Sequence, residues 1–340
     1  MTFEQRSLAV ARSSRAQYEY SLTMQTSLIV GSGSRHLVAP IERECALRFA
    51  PTTIERFPDG EVMVRLDAPV RSSEVILLAA TSPPVNDRFV ELLALSDACH
   101  RADASRVVAV IPYFGYARSD RRDGRRTPIM ASLAAELIER AGVDHVVTMD
   151  VHAPAMEGFF RIPVDNVTAV PALARAIAER TRDLSESLTI VAPDLGAVGL
   201  ANRFAAILDL PVAVCHKRRL SGSEVAVTRI TGDVAGRRCI VVDDMISTGA
   251  TIAESVRALN DAGAVGEPLV AASHAVLAPG ALDKMADAGV RDLFVTDSIE
   301  PRADSTTRLT PTIVSVAPLL AMSIRRLVDG GSLRELTTGG

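Results

Sequence analysis

The sequence predicts an α/β protein of two similar domains, each a mostly parallel sheet flanked by helices. Three observations carry this. At 340 residues the chain exceeds the usual size of a single core. Short β-branched runs, apolar on both faces, recur along it, as expected of parallel strands covered by helices. Segments with helical periodicity lie between them.

The runs, in order, are "SLIVGSG" (27–33), "EVILLAA" (74–80), "RVVAVIPYF" (106–114), "HVVTMD" (145–150), "LTIVAP" (188–193), "CIVVDD" (239–244) and "LFVTD" (293–297). Between them, "PIMASLAAELIERAG" places Ile129, Leu133 and Leu137 on one helical stripe, with Pro at its start and Gly at its end. "ATIAESVRALNDAG" repeats the pattern with Ile252, Val256 and Leu259. "GSGS" (31–34) is too short for a nucleotide loop and reads as a strand-to-helix turn. One set of units runs to about residue 171 and a second begins near 173. The expected division is a loose extension over 1–24, a first domain over 25–171 and a second over 172–315, with helix 316–328 assignable to the first.

Composition narrows the function. A net charge of −4 and a pI near 5.9 leave no overall basic footprint, so nucleic acid is not the expected partner. Charges interrupt every apolar run before the roughly 18 residues of a membrane span, so no membrane association is expected. Cys45, Cys99, Cys215 and Cys239 form no CxxC pair, which favours reduced thiols and a cytoplasmic protein. The first 24 residues lack the continuous apolar stretch of a secretory signal.

In open α/β sheets ligands bind beyond the carboxyl ends of the strands. The segments there are "YARSDRRDGRR", "MDVHA", "APDLGA" and "VDDMISTGAT". In the last, a strand carries Asp243 and Asp244 out of the core, where carboxylates can accept from ligand hydroxyls. The turn Ser247-Thr248-Gly249-Ala250-Thr251 then presents backbone N–H groups at a helix start, an anion site. A sugar phosphate suits both halves. The plainer alternative is an ordinary turn, with Thr251 and Glu254 forming a capping box.

This stretch resembles the phosphoribosyl-diphosphate binding loop of type I phosphoribosyltransferases and of ribose-phosphate diphosphokinases. "RFPDGEVMVRL" (56–66), "IPYFGYARSDRR" (111–122), "VTMDVHA" (147–153) and "GFFRIPVDNVTAVP" (158–171) are similar to the N-terminal domain of the diphosphokinases, and ordinary phosphoribosyltransferases lack them. The likeness runs from residue 27 to 328 and implies two type I phosphoribosyltransferase-like domains. It implies that Asp243 and Asp244 hold the ribose hydroxyls while Ser247, Thr248, Gly249, Ala250 and Thr251 wrap the 5-phosphate.

The same likeness implies that Phe57, Asp59 and Glu61 hold the adenine of ATP from a neighbouring subunit, with Arg118 and Asp123 on the other side, and that His152 and Asp194 contact Mg²⁺. Lys217 and Lys284 are the only lysines among 37 Lys and Arg residues. The resemblance puts Lys217 and Arg219 on a catalytic loop closing over the triphosphate. "PDLGA" (193–197) stands where the family has its diphosphate-binding loop, usually Gly-rich and followed by a basic residue; here the basic residue arrives at Arg203. Ser119, Ser132 and Ser247 also depart from the family's usual Gln, Lys and acidic residue.

The implied reaction transfers the β,γ-diphosphoryl group of MgATP to the C1 hydroxyl of ribose 5-phosphate, in a homo-oligomer. Two alternatives stay open at this point: a catalytically weak regulatory relative, and a phosphoribosyltransferase consuming the product.

Overall fold

The computed structural model describes residues 26–45, 47–122, 124, 126–183, 187–219, 225–301 and 308–339; at 217–219, 225, 226 and 228 it describes the backbone alone. The chain opens with β1 (Thr26–Val30), followed by a 3₁₀ turn (Ser32–Leu37) and helix Val38–Glu44. An antiparallel hairpin follows, β2 (Thr52–Arg56) and β3 (Val62–Leu66). The runs anticipated from β-branched composition then appear as β4 (Glu74–Leu78), β5 (Arg106–Ile111) and β6 (His145–Met149), and β7 (Val164–Val167) completes the sheet. The order β1-β4-β5-β6-β7 is parallel throughout. Every residue of β4 and β6 is buried, because helices cover both faces.

The second sheet is built from β8 (Leu188–Ala192), β9 (Val212–Arg219), β10 (Val225–Thr231), β11 (Arg238–Ile246), β12 (Leu269–Ala275), β13 (Asp292–Thr296) and β14 (Thr312–Val314). Its order is β10-β9-β8-β11-β12-β13-β14, parallel except for the β9–β10 hairpin at one edge. Among helices, Ala250–Asp261 follows β11, and its periodic residues Ile252, Val256 and Leu259 are buried as expected.

The sheets share one apolar core. Val147 and Met149 of β6, Ile190 of β8, Ile240 and Val242 of β11, and Leu173 and Ile177 of helix Val170–Thr181 belong to a single buried cluster. Polar contacts cross the same seam. Ser273 Oγ donates to Asp150 Oδ2 at 2.6 Å, and His274 Nε2 donates to Met149 O at 3.1 Å. Asp150, just past β6, also accepts from Thr168 Oγ1 and the N–H of Ala169, so this carboxylate is fully engaged at the seam. Helix Ala317–Val328 returns to the first domain and packs against Val38–Glu44, with Leu320 and Ile324 meeting the cluster that holds Leu37 and Ile41.

One local expectation changes. In helix Met130–Arg140 the buried face is Ala131, Ala134, Ala135 and Ile138, whereas Leu133 and Leu137 are exposed. The alanines and Ile138 join the buried cluster that holds Leu92 and Met156, so the leucine stripe is the outer one. "GSGS" begins a 3₁₀ turn whose Ser32 N–H donates to the buried Glu91 carboxylate at 2.6 Å. An internal anion thus occupies the donor of that turn. The extension over 1–24 lies outside the described residues.

Candidate active site

The strand β11 outruns its neighbour. Its last pairing with β8 is Val241↔Val191, and β8 ends at Ala192, while β11 continues beside β12 to Ile246↔Ala275. Asp243 and Asp244 therefore leave the sheet on the open side, over the end of β8. The turn that follows is braced by Ala278 N–H donating to Ser247 O at 2.9 Å. Gly249 has φ +70°, and a Cβ there would come within 2.8 Å of Ala281 O, so glycine is required by both conformation and space. No side chain caps the helix that starts at Ala250. Thr251 and Glu254 do not form the capping box, and the first-turn N–H groups stay available for an anion.

A cavity of about 360 Å³ brings the predicted residues together. Asp243, Asp244, the whole turn Ser247–Thr251, His152, Asp194 and Arg118 line it, so sequences more than 120 residues apart meet at one place. Asp150, Asn166, Gly199, Leu200 and Arg203 complete part of its wall. Of these, Asn166 carries no sequence signal, while Asp150 is foreshadowed only by its position at a strand end. Its φ of +40° turns the chain so that Val151 N–H donates to Asn166 Oδ1 at 3.2 Å and His152 faces the second domain.

Burial and neighbouring carboxylates set the electrostatics of the strand end. Burial pushes the Asp243 carboxyl well up, and the neighbouring Asp244 and Asp194 charges push it further. Burial acts on Asp244 in the same sense, yet His152 donates to it through Nδ1 at 2.9 Å, and Asp244 stays below the ordinary carboxylate value. The same hydrogen bond raises His152, against a smaller opposing effect of burial. Asp194 Oδ1 accepts from the N–H groups of Gly196 and Ala197, which fixes the start of the "PDLGA" loop.

Among the described residues no three His, Cys, Asp or Glu side chains converge tightly enough to form a metal centre unaided. The donor set still fits a hard cation arriving with a phosphate ligand. Asp243, Asp244 and Asp194 bring carboxylates to the cavity, and Asp244 ties the Nδ1–H of His152, which would leave Nε2 of the neutral ring to coordinate such a cation.

Phe57, Asp59 and Glu61 do not join this cavity. They form the tip of the β2–β3 hairpin, where Phe57 N–H donates to Glu61 O at 2.8 Å and Gly60, at φ +94°, closes the turn. Phe57 is 48% exposed and belongs to none of the apolar clusters among the described residues. Lys217 and Arg219 end β9, whose backbone alone is described there, and Asp123 lies outside the described residues.

A carboxylate pair above a phosphate-type turn, at the carboxyl end of a parallel sheet and facing a second α/β domain, defines a phosphoribosyl-binding enzyme of two domains. Residues 26–142 match the N-terminal domain of ribose phosphate pyrophosphokinase, and residues 163–304 match the phosphoribosyl transferase domain. The chain belongs to the ribose-phosphate pyrophosphokinase family. It is 44% identical over 290 residues to the ribose-phosphate pyrophosphokinase of Maricaulis maris, covering 84% of this chain and 93% of the relative. With that of Caldanaerobacter subterraneus subsp. tengcongensis it shares 39% over 324 residues, 95% of this chain and all of the relative. The crystal structure of phosphoribosylpyrophosphate synthetase from Mycobacterium smegmatis superposes with a TM-score of 0.83 at 35% identity, covering 90% of this chain and 100% of that one. The match to the N-terminal domain disfavours an ordinary phosphoribosyltransferase.

Proposed function

We propose that this chain joins the β,γ-diphosphoryl group of ATP to the C1 hydroxyl of ribose 5-phosphate, releasing AMP, with the residues of the cavity in defined roles. The observation that carries the assignment is the meeting of Asp243, Asp244, the uncapped turn Ser247–Thr251 and His152 around one cavity. Asp243 and Asp244 accept from the ribose 2- and 3-hydroxyls, and the turn's N–H groups hold the 5-phosphate. The C1 hydroxyl is thereby directed toward the cavity's other wall, where the nucleotide phosphates lie. Attack at the β-phosphorus forms the new C1–O–P linkage and breaks the bond to the α-phosphate oxygen, which leaves with AMP. The protein's work is alignment and charge stabilisation.

His152 and Asp194 would hold Mg²⁺ together with the nucleotide, and the ion would neutralise phosphate charge there. Lys217 and Arg219, on β9 beside the site strand β8, are assigned to the charge that develops on the transferred group. The outward-facing tip of the β2–β3 hairpin supports an adenine pocket completed by a second subunit, with Arg118 on the receiving side, so the active form is a homo-oligomer.

The test is a coupled assay for AMP from ATP and ribose 5-phosphate with Mg²⁺, run on wild type and Lys217→Ala. Ribose-5-phosphate-dependent AMP is expected, with turnover lowered roughly a hundredfold in the variant. A folded wild type that binds ATP without turnover would place the regulatory reading first. Near-wild-type turnover of Lys217→Ala would remove that residue from the catalytic set.

A further inference from the structure

The walls of the cavity come from both domains, and at the seam between them sits a side chain that does not line it. His274, the next-to-last residue of β12, is 2% exposed. It lies in register with Met245, the residue after Asp244 on β11. Its imidazole reaches from the second domain to two strand ends of the first. Nε2 lies 3.1 Å from the carbonyl of Met149, the last residue of β6. The ring also meets Tyr113, just past the end of β5, edge to face with 5.1 Å between centroids. The loops that leave those two strand ends carry His152 and Arg118 into the cavity.

The ring is held at both nitrogens, since Nδ1 lies 2.9 Å from Ser298 Oγ. Burial pushes the imidazole down, against the charges of Asp150 and Asp244, so the ring is neutral at pH 7. With a single ring proton, Nε2–H donates to Met149 O and Nδ1 accepts from the Ser298 hydroxyl. Ser273 O, the competing acceptor for that hydroxyl at 3.2 Å, already takes the Thr296 hydroxyl at 2.6 Å. Thr296 Oγ1 in turn accepts from the N–H of Ser298, which fixes the residue that orients the ring. A buried ring satisfied on both edges acts as a rigid spacer between β12 and the end of β6.

We propose that His274 is a positioning residue of the nucleotide wall: by fixing the ends of β5 and β6 it sets where Arg118 and His152 stand over the Asp243–Asp244 strand end. This rests on the proposed reaction and adds to it a buried residue that touches no substrate. The ribose side needs no such support, because Asp243, Asp244 and the turn Ser247–Thr251 belong to the same domain as His274. Loss of the bond to Met149 is therefore felt by the nucleotide and not by the sugar phosphate.

The experiment measures binding of MgATP and of ribose 5-phosphate by calorimetry for the full chain as wild type, His274→Gln, His274→Asn and Ser298→Ala. A Gln amide reaches the place of Nε2 and keeps the bond to Met149 O, whereas an Asn amide stops at the place of Nδ1 and loses it. His274→Asn should weaken MgATP roughly five- to tenfold and ribose 5-phosphate by less than about twofold, and His274→Gln should restore most of the difference. Ser298→Ala keeps the imidazole but frees it to turn, so it should weaken MgATP alone by about threefold, and it carries the test if His274→Asn does not fold. Wild-type MgATP affinity in the folded variants would overturn the inference. So would a parallel loss of both ligands, or a Gln variant no better than Asn, since either marks a residue needed only for folding. A wild type that forms no AMP would fail the proposed reaction, while the binding comparison still decides the role of His274.

Discussion

His152 Nδ1 and Asp244 Oδ2 lie 2.9 Å apart, joining the loop after β6 of one sheet to β11 of the other across 92 residues of sequence. Each partner shifts the other: His152 is raised and Asp244 is held low. The pair links the two domains and fixes which ring nitrogen of His152 is tied to a carboxylate.

In the metal-free protein, His152 is therefore expected to titrate above its ordinary value of 6.5. A raised folded value means that the pair's stabilisation is present in full below 6.5 and is lost as pH rises through the folded value. Imidazole NMR should show the raised titration in wild type and its return toward 6.5 in Asp244→Asn. The melting temperature of wild type should fall over that pH window more than that of the variant. An unshifted His152 resonance would show that the contact does not form in solution.

Asp243 should trade stability for binding. Its folded value is raised by burial and by Asp244 and Asp194, so ionising it costs the folded state as pH climbs from 3.8 through that value. At neutral pH Asp243→Asn should raise the melting temperature of the ligand-free protein. Ribose 5-phosphate affinity should drop about tenfold or more, the loss of charge-assisted acceptors. Calorimetry and thermal melts on the same samples check both signs, and a variant that is less stable contradicts the electrostatic account.

Gly249→Ala places a Cβ at φ +70° and 2.8 Å from Ala281 O. The strain should cost about 1–3 kcal/mol in urea unfolding. Because the turn itself must shift, ribose 5-phosphate binding should weaken together with stability. Unchanged binding would mean the turn does not hold the phosphate.

Phe57→Ala removes a ring that is 48% exposed at a hairpin tip, so stability should stay within about 0.5 kcal/mol of wild type. If the ring stacks on adenine, KM for ATP should rise roughly fivefold or more, with KM for ribose 5-phosphate unchanged. Equal ATP kinetics in the two proteins would leave the hairpin tip without a nucleotide role.

Much of the fold was legible because buried parallel strands advertise themselves. The runs that became β4, β5, β6 and β8 are apolar on both faces, and no other element of that length reads the same way. The exposed hairpin β2–β3, the edge strands β7, β10 and β14 and the neighbouring β9 were missed because partly solvated strands carry mixed composition, which overlaps with loops, and the buried β12 was missed because its run LVAASHA is largely alanine, serine and histidine. Helix Met130–Arg140 misled through its leucines, since side-chain size alone does not say which face turns inward, and here the alanine face with Ile138 is the buried one. At the site, Asp243, Asp244 and the glycine turn could be read from one contiguous stretch. The His152–Asp244 bond could not, because it depends on how two domains meet.

Helix Ala317–Val328 closes over Ile41 and Leu37 of the first domain. During synthesis, then, the first domain leaves the ribosome with a bare apolar strip that only a much later part of the chain can cover. Its maturation has to wait for the second domain to be made, and any pause between the two extends the time in which that strip can meet another nascent chain. For a protein proposed to work as an oligomer, the late helix is thus also a timer, setting when a subunit becomes presentable to its partners.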